Sequence, residues 1–387
     1  MVKVLYVTAE PLEYNSSANI RNWGLVEGLH ANGVAVYTLC PYPTDRKMFN
    51  GVVDNRSFVK RYWIGASPTT NSQITENTEV KYSKIKMRLK KIGFDLFNYL
   101  SVYDRRRFLR RKIDAGLIDE NFDYIISSSD PKSAHLFVEE LYKQRPTIGK
   151  KWIQYWGDPF TNDVSDKKLF GNLLVEREER RLLAMADKVV YVSPFTVNAQ
   201  VKRYPSFDSK IVFLPIPYRI SNNNTNNLSY DKGLVGYFGD YHSKYRDIIP
   251  FYNAVKQMEL KVNIIGNSDL SLSPTDNINV KGRVPVQELE DITNKTHIFV
   301  CICNLHGTQI PGKVYHYVNS GKPILVILDG DRKGELKEYF DSFERFYICE
   351  NTQESIISCI QKIIKEDRIF QIPDLLNPQT IASKFLE

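Results

Sequence analysis

Two glycine-bearing turns in the C-terminal half of the chain hold the residues best suited to grip an anion. One is Gly307-Thr308-Gln309-Ile310-Pro311-Gly312-Lys313, which continues through Val314-Tyr315-His316 to Gly321-Lys322-Pro323. It follows the apolar run HIFVCICN (297–304), and Pro311 suits a first helical turn while Gly321 and Pro323 stop the helix. Free backbone N–H groups at a helix start, the small Gly312 and the ammonium of Lys313 make a phosphate cradle; an ordinary βα turn accounts for the same residues. The other turn is Gly236-Tyr237-Phe238-Gly239-Asp240-Tyr241-His242-Ser243-Lys244-Tyr245-Arg246. Gly239, Lys244 and Arg246 again place donors and positive charge after a strand and at a helix start, where the bland alternative is a solvated basic turn. Two such turns on one domain suit a diphosphate.

The elements that must position these turns are short β-branched and aromatic runs alternating with stretches of helical period, the pattern of βαβ units and a parallel sheet. Five runs fall in the first half, at 2–9, 34–40, 124–129, 151–156 and 188–193. Five more fall in the second half, at 233–239, 260–266, 278–284, 297–304 and 323–328. Between the groups lies LPIPYRISNNNTNNLSYDKG, where two prolines give way to an Asn-rich tract that holds no packed element. The expected fold class is therefore α/β. An N-terminal doubly wound Rossmann-like domain is expected at 1–213, a linker at 214–232, and a second such domain at 233–372. A short C-terminal helix at 373–387 is expected to pack back on the first domain. A length of 387 residues agrees with two domains at roughly 150 residues each. In such sheets ligands sit beyond the carboxyl ends of the strands, so a chain of this kind is expected to work in a cleft between its domains.

Several chemistries are disfavoured. The first βα loop, Ala9-Glu10-Pro11-Leu12-Glu13-Tyr14-Asn15-Ser16-Ser17-Ala18, lacks GxGxxG, which argues against a nicotinamide or flavin dehydrogenase. Five scattered cysteines form no CxxC pair, and Cys301 and Cys303 read as buried thiols on one strand rather than zinc ligands. Asp329-Gly330-Asp331 imitates an acid-x-acid metal motif but falls in a polar turn after PILVIL and reads as a loop. No metal is expected. The N-terminus lacks the basic start, apolar stretch and cleavage site of a signal peptide, and no run of about 18 apolar residues occurs, so a cytoplasmic protein is expected.

Three stretches, YIISSSDPKSAH (124–135), KWIQYWGDPFT (151–161) and EERRLLAMADKVVYVS (178–193), follow one another as in a bacterial group of retaining glycosyltransferases. That group resembles glycosyltransferase family 4 and has the GT-B fold. Its aspartate-proline-tryptophan signature is similar to Asp158-Pro159-Phe160, its glycine-tyrosine-arginine turn to Gly239, Tyr241 and Arg246, and its final proline-to-Gly-Lys-Pro pattern to the span from Pro311 to Pro323. The resemblance implies a nucleotide-sugar donor, UDP on family frequency, held by the second domain with no metal, and an acceptor on the first. Arg246 and Lys313 would neutralise the leaving diphosphate, and backbone near Arg283 and Val284 would meet the base. Two family carboxylates eight positions apart are replaced here by Thr308 and His316, and a neutral imidazole can still hydrogen-bond a ribose hydroxyl. Ser16 and Ser17 replace a frequent glycine pair in the first loop and are candidates for acceptor binding. Asp158 and His135 are the candidate reaction centre: Asp158 to orient or deprotonate an acceptor hydroxyl, His135 to contact the transferring sugar. A loop-capping carboxylate and a helix-face histidine without a role are the plainer readings.

Charge is uneven. The chain carries +7, yet between Lys81 and Lys112 twelve basic residues face only Asp95 and Asp104, which leaves the rest of the chain net acidic. Ile85, Leu89, Ile92, Leu96 and Leu100, then Leu109, Ile113 and Leu117, recur at helical spacing among those cations. An amphipathic basic insertion over about 81–117 fits an anionic bilayer, nucleic acid, or a solvated face of a structural hairpin. The membrane is favoured, because the resemblance implies a lipid-carried acceptor in bacterial surface polysaccharide synthesis. The enzyme would then sit at the inner face of the cell membrane. A nucleotide-sugar epimerase of the same fold and a non-catalytic membrane-docked partner are the alternatives.

Overall fold

The computed structural model describes residues 1–43, 55–65, 101–161, 171–220, 230–366, 368 and 370–387. The helical repeat expected over 81–100 and the Asn-rich tract 221–229 lie outside these residues.

The chain divides into two compact units, Met1–Leu214 with Ser383–Glu387, and Pro215–Ala382. In the first, the elements run β1 (Lys3–Thr8), α1 (Ser17–Ala31), β2 (Ala35–Pro41), β3 (Lys60–Ile64), β4 (Phe122–Ser128), α2 (Ser133–Gln144), β5 (Gly149–Trp156), α3 (Gly171–Met185), β6 (Lys188–Tyr191), α4 (Pro194–Arg203) and β7 (Ile211–Phe213). All seven strands pair in parallel, in the order β3-β2-β1-β4-β5-β6-β7. Parallel sheets are covered on both faces, which is why the central strands read as unbroken apolar runs. One apolar cluster packs Leu5, Tyr37, Ile125 and Phe137, and another packs Trp156, Leu182, Tyr191 and Tyr204.

The second unit runs β8 (Val235–Phe238), α5 (Ile249–Gln257), β9 (Val262–Ile265), β10 (Ile278–Lys281), α6 (Val286–Lys295), β11 (Ile298–Ile302), α7 (Lys313–His316), β12 (Ile324–Leu328), α8 (Lys333–Asp341), β13 (Tyr347–Glu350) and α9 (Gln353–Lys365). Its six strands are parallel in the order β10-β9-β8-β11-β12-β13. The last helix, α10, is Pro378–Leu386. Near its end Phe385 meets the Tyr155 ring edge-on at 5.0 Å, and the Lys384 carbonyl accepts from Lys188 Nζ at 2.7 Å, all within the first unit.

The ten expected strands are present, and three others join them. β3 is a polar edge strand, KRYWI, and β7 and β13 are only three and four residues long. The helix expected from Pro311 to Gly321 is shorter than its pattern: α7 covers Lys313–His316, a 3-10 turn follows over Val318–Ser320, and Gly321 closes it at φ +68° in the left-handed region. Basic residues 105–112 form a 3-10 helix, Arg105–Lys112, rather than the helical repeat expected there. Its Phe108 is 46% and nearby Leu117 70% exposed, while Ile113 is buried.

Candidate diphosphate-binding site

In both units the strand order reverses beside the first strand, between β1 and β4 and again between β8 and β11. The crevice outside the carboxyl ends at such a switch point is where open α/β sheets bind ligands. Gly239 follows β8 directly. Asp240 comes next, and its carboxylate accepts from the Asn267 amide at 2.9 Å and from Arg283 Nε at 3.1 Å. Asn267 Oδ1 in turn accepts from the Arg283 backbone N–H at 3.3 Å. Arg246 folds back so that Nη1 donates to the Asp240 carbonyl at 2.8 Å, while its Nε is sealed from solvent without a partner.

Lys313 reaches this cluster from the start of α7. A Cβ placed on Gly239 would lie 3.6 Å from both Cε and Nζ of Lys313, so the ammonium passes over a backbone left bare by the glycine. Burial strips water from the ammonium, Arg246 and Arg283 repel it, and Asp240 opposes both, with the result that its pKa falls from 10.5 to about 8. Burial raises the Asp240 carboxyl, but Arg283 and the Asn267 amide outweigh it and hold the group below the usual carboxylate range. Arg283 and Lys313 thus act on the Asp240 carboxylate while Arg246 holds the Asp240 carbonyl, three cations around one acid and a local charge imbalance that an anion would relieve.

Spatial order at the edge comes from residues that carry no ligand chemistry. Gly266, after β9, runs so close to the neighbouring loop that a Cβ would lie 2.0 Å from the Gly239 carbonyl oxygen. The buried Arg345 donates from Nε and Nη2 to the Val318 carbonyl (3.2 and 3.0 Å) and from Nη2 to the Lys322 carbonyl (3.0 Å), tying down the carbonyls that follow α7. Lys322 turns away from the site and donates to the carbonyls of Thr293 (3.1 Å) and Asn294 (2.6 Å) at the end of α6.

The remaining expected donor contacts take different places. His316 keeps partial exposure, but its Nε2 is closed off without a partner. Burial first, then Lys313 and Arg219, depress its pKa to about 3, so it is neutral at any working pH. Thr308 and Gly312 are half-buried in the loop before α7, and Val284 is half-buried beyond β10. Tyr241 is given to the core, where its ring stands edge-on to Tyr237 at 5.9 Å. Lys244 is exposed and folds over the Tyr245 ring at 4.9 Å. Sequence reading passed over Asp240, Asn267, Gly266 and Arg345; only the position of Asp240 beside Gly239 signalled anything in advance.

On the first unit, Ser16 caps α1, its Oγ accepting from the Asn19 amide at 3.2 Å, and Ser17 is exposed as the first helical residue. His135 is fully buried. Its ring stacks on Trp156 at 4.2 Å between centroids, and its Nδ1 lies 2.8 Å from Ser127 Oγ. Burial first, then Lys132 and Arg21, hold its pKa well below 6.5, so it stays neutral. Asp158 is half-buried in the turn after β5. That turn is anchored by the buried Glu179 of α3, whose carboxylate accepts from the amides of Phe160 (2.7 Å) and Thr161 (3.2 Å), the Thr161 hydroxyl (2.5 Å), the Tyr204 hydroxyl (3.0 Å) and Gln200 Nε2 (3.2 Å).

No group of His, Cys, Asp and Glu that could hold a metal occurs among the described residues, and Cys301 and Cys303 are buried free thiols. Asp329 caps the Gly330 amide at 2.8 Å in a loop. No described helix is long and apolar enough to cross a membrane.

No protein-family model matches the chain, and no curated protein does. Solved structures do. The catalytic domain of starch synthase IV from Arabidopsis thaliana, bound to ADP and acarbose, superposes with a TM-score of 0.61 at 10% identity, covering 99% of this chain and 95% of that one. A glycosyltransferase from Rickettsia africae gives 0.54 at 11% identity over 100% and 92% of the two chains. The UDP-GlcNAc 2-epimerase of Methanocaldococcus jannaschii gives 0.53 at 9% identity over 99% and 98%. The fold is GT-B: two Rossmann-like units with doubly wound parallel sheets. Transferases and an epimerase share it, so the choice of reaction rests on chemistry.

Proposed function

We propose that this chain transfers a sugar from a nucleoside diphosphate sugar to a glycan or lipid-linked acceptor, with retention at the anomeric carbon and without a metal. One observation carries the reading: Lys313, Arg246 and Arg283 gather around Asp240 at the carboxyl ends of β8 and β11, the switch point of the second sheet. As the bond from the anomeric carbon to the diphosphate oxygen breaks, negative charge grows on the departing group. Cations already fixed and partly desolvated stabilise that charge without reorganising. They also supply the charge a divalent cation would otherwise bring. His316 is neutral, and its Nε2, closed off and unpartnered in the free chain, would hydrogen-bond a ribose hydroxyl of the donor once uncovered. The first unit would present the acceptor, with Asp158 orienting or deprotonating its hydroxyl and Ser16 and Ser17 at the entrance of α1.

A UDP-sugar is the donor expected from the resemblance, and a bacterial surface polysaccharide the product. The cations of Arg105–Lys112 with the exposed Phe108 would rest on the anionic inner membrane surface, where such acceptors are held. The epimerase likeness keeps a second reading in view, and one incubation separates the two. With UDP-, ADP-, GDP- and dTDP-sugars and a lipid-linked acceptor, transfer predicts a glycosylated acceptor whose new linkage keeps the donor's anomeric configuration by NMR. A new nucleotide sugar formed without acceptor would identify an epimerase, and neither product would refute both.

A further inference from the structure

At the equivalent switch point of the first unit lies a buried cation with no countercharge among the described residues. Arg21, on the second turn of α1, is only 4% exposed. Its Nη2 donates to Ser128 Oγ at 3.2 Å, at the end of β4, and its guanidinium carbon lies 4.6 Å from the centroid of the Tyr155 ring. Those are its polar and cation–π contacts. Among the described residues Nη1 makes no hydrogen bond, Nε is sealed without a partner, and no carboxylate pairs with the guanidinium. Nearby, Asn22 Oδ1 takes the hydroxyls of Tyr6 (2.9 Å) and Ser128 (2.6 Å), and the buried hydroxyl of Tyr155 is itself without a partner among the described residues. The space for the guanidinium comes from a missing side chain, because a Cβ on Gly157, just past β5, would fall 2.0 Å from Nη1.

A guanidinium offers five N–H donors in a planar fork, and burying one with most of them idle is costly unless a partner arrives. A hydrophobic side chain of like length would fill the same volume at no such cost. The shape and charge of the fork match a carboxylate or a phosphate. We propose that Arg21 binds an anionic group carried by the acceptor, so that the acceptor is an acidic sugar or a sugar phosphate rather than a neutral glycan. The word acceptor rests on the transferase reading above; the anion site on the first unit does not.

The test is thermal unfolding of the wild-type chain and Arg21→Met at matched ionic strength, with D-glucuronate, D-glucose 6-phosphate, inorganic phosphate or neutral D-glucose. The wild type should gain about 3 °C at ten times the dissociation constant of the best anion, and nothing from glucose. A larger response to glucuronate points to a carboxylate, and one to glucose 6-phosphate or phosphate points to a phosphate. Arg21→Met should melt at or above the wild-type temperature without anion and lose the anion response. UDP is run alongside. If UDP shifts neither protein while the anion difference stands, the donor reading fails and this site survives. If UDP shifts both and the anions act equally on both, or on neither, Arg21 is structural and the proposal falls. Should Arg21→Met not fold, Gly157→Ala, which crowds Nη1 but keeps the charge, gives the same comparison.

Discussion

Lys313 offers a prediction with a definite sign. In the free protein burial, together with Arg246 and Arg283, brings its pKa from 10.5 down to about 8. At about 1.36 kcal/mol per tenfold, that displacement is on the order of 3 kcal/mol of unfavourable charging that a bound anion can recover. An anion beside the ammonium favours its charged form and raises its pKa again. Below pH 8 the group is already protonated and binding needs no proton; above pH 8 each binding event takes one up. Affinity for UDP should therefore be flat from pH 7 to 7.5 and fall toward tenfold per pH unit by pH 9. Unliganded stability should move the other way. Between pH 8 and 10.5 the unfolded chain holds more protons at this position than the folded one, so stability rises with pH there. Calorimetry of UDP binding in two buffers of different ionisation enthalpy measures the proton uptake directly. Lys313→Met should weaken binding about 10- to 100-fold at pH 7.5, the loss of one charge-assisted hydrogen bond, and should abolish the uptake. Identical pH profiles for the wild type and Lys313→Met would refute the assignment, because any titration of UDP itself is common to both.

Other residues give further tests. Glu179→Ala removes the acceptor for five donors and should cost about 2–3 kcal/mol of stability in urea unfolding; Glu179→Gln should cost less and leave UDP affinity unchanged, since the residue anchors the Asp158 turn on the other unit. Gly266→Ala forces a methyl against the Gly239 carbonyl and should destabilise by about 1–3 kcal/mol while weakening UDP binding; a variant that binds UDP as the wild type does would mean that Gly239 has no part in the site. For the exposed basic turn, co-sedimentation with phosphatidylglycerol vesicles should exceed that with phosphatidylcholine, fade with salt, and drop in a Phe108→Ser, Arg111→Glu variant; equal binding to neutral vesicles would contradict it.

The strands were legible because burial on both faces demands unbroken apolar runs, as in VLYVT of β1 and ILVIL of β12. β3 escaped notice for the opposite reason: an edge strand carrying Lys60 and Arg61 has no such run. The stop at Gly321 was readable from the residue type, whereas the retreat from α-helix to 3-10 turn after His316 depends on Arg345, distant in sequence, gathering the free carbonyls. Gly239, Arg246 and Lys313, expected from residue type and place after a strand, do lie near one another in the second unit. Tyr241 stood in the same motif and lies in the core. Side-chain direction at a strand end depends on which face its neighbours fill, and Tyr237 and Phe251 fill this one. Arg21 gave no signal at all, since α1 has no clear apolar stripe, burying Asn19 and Asn22 along with Trp23 and Leu25, and a lone basic residue on a helix normally faces water.

The central claim, that the second unit clasps a diphosphate, is tested most directly by a crystal grown with UDP. The account predicts β-phosphate oxygens about 3 Å from Lys313 Nζ and the Arg246 guanidinium, beside Gly239. Nucleotide bound elsewhere, or these cations instead closed against packed side chains with UDP present, would contradict it.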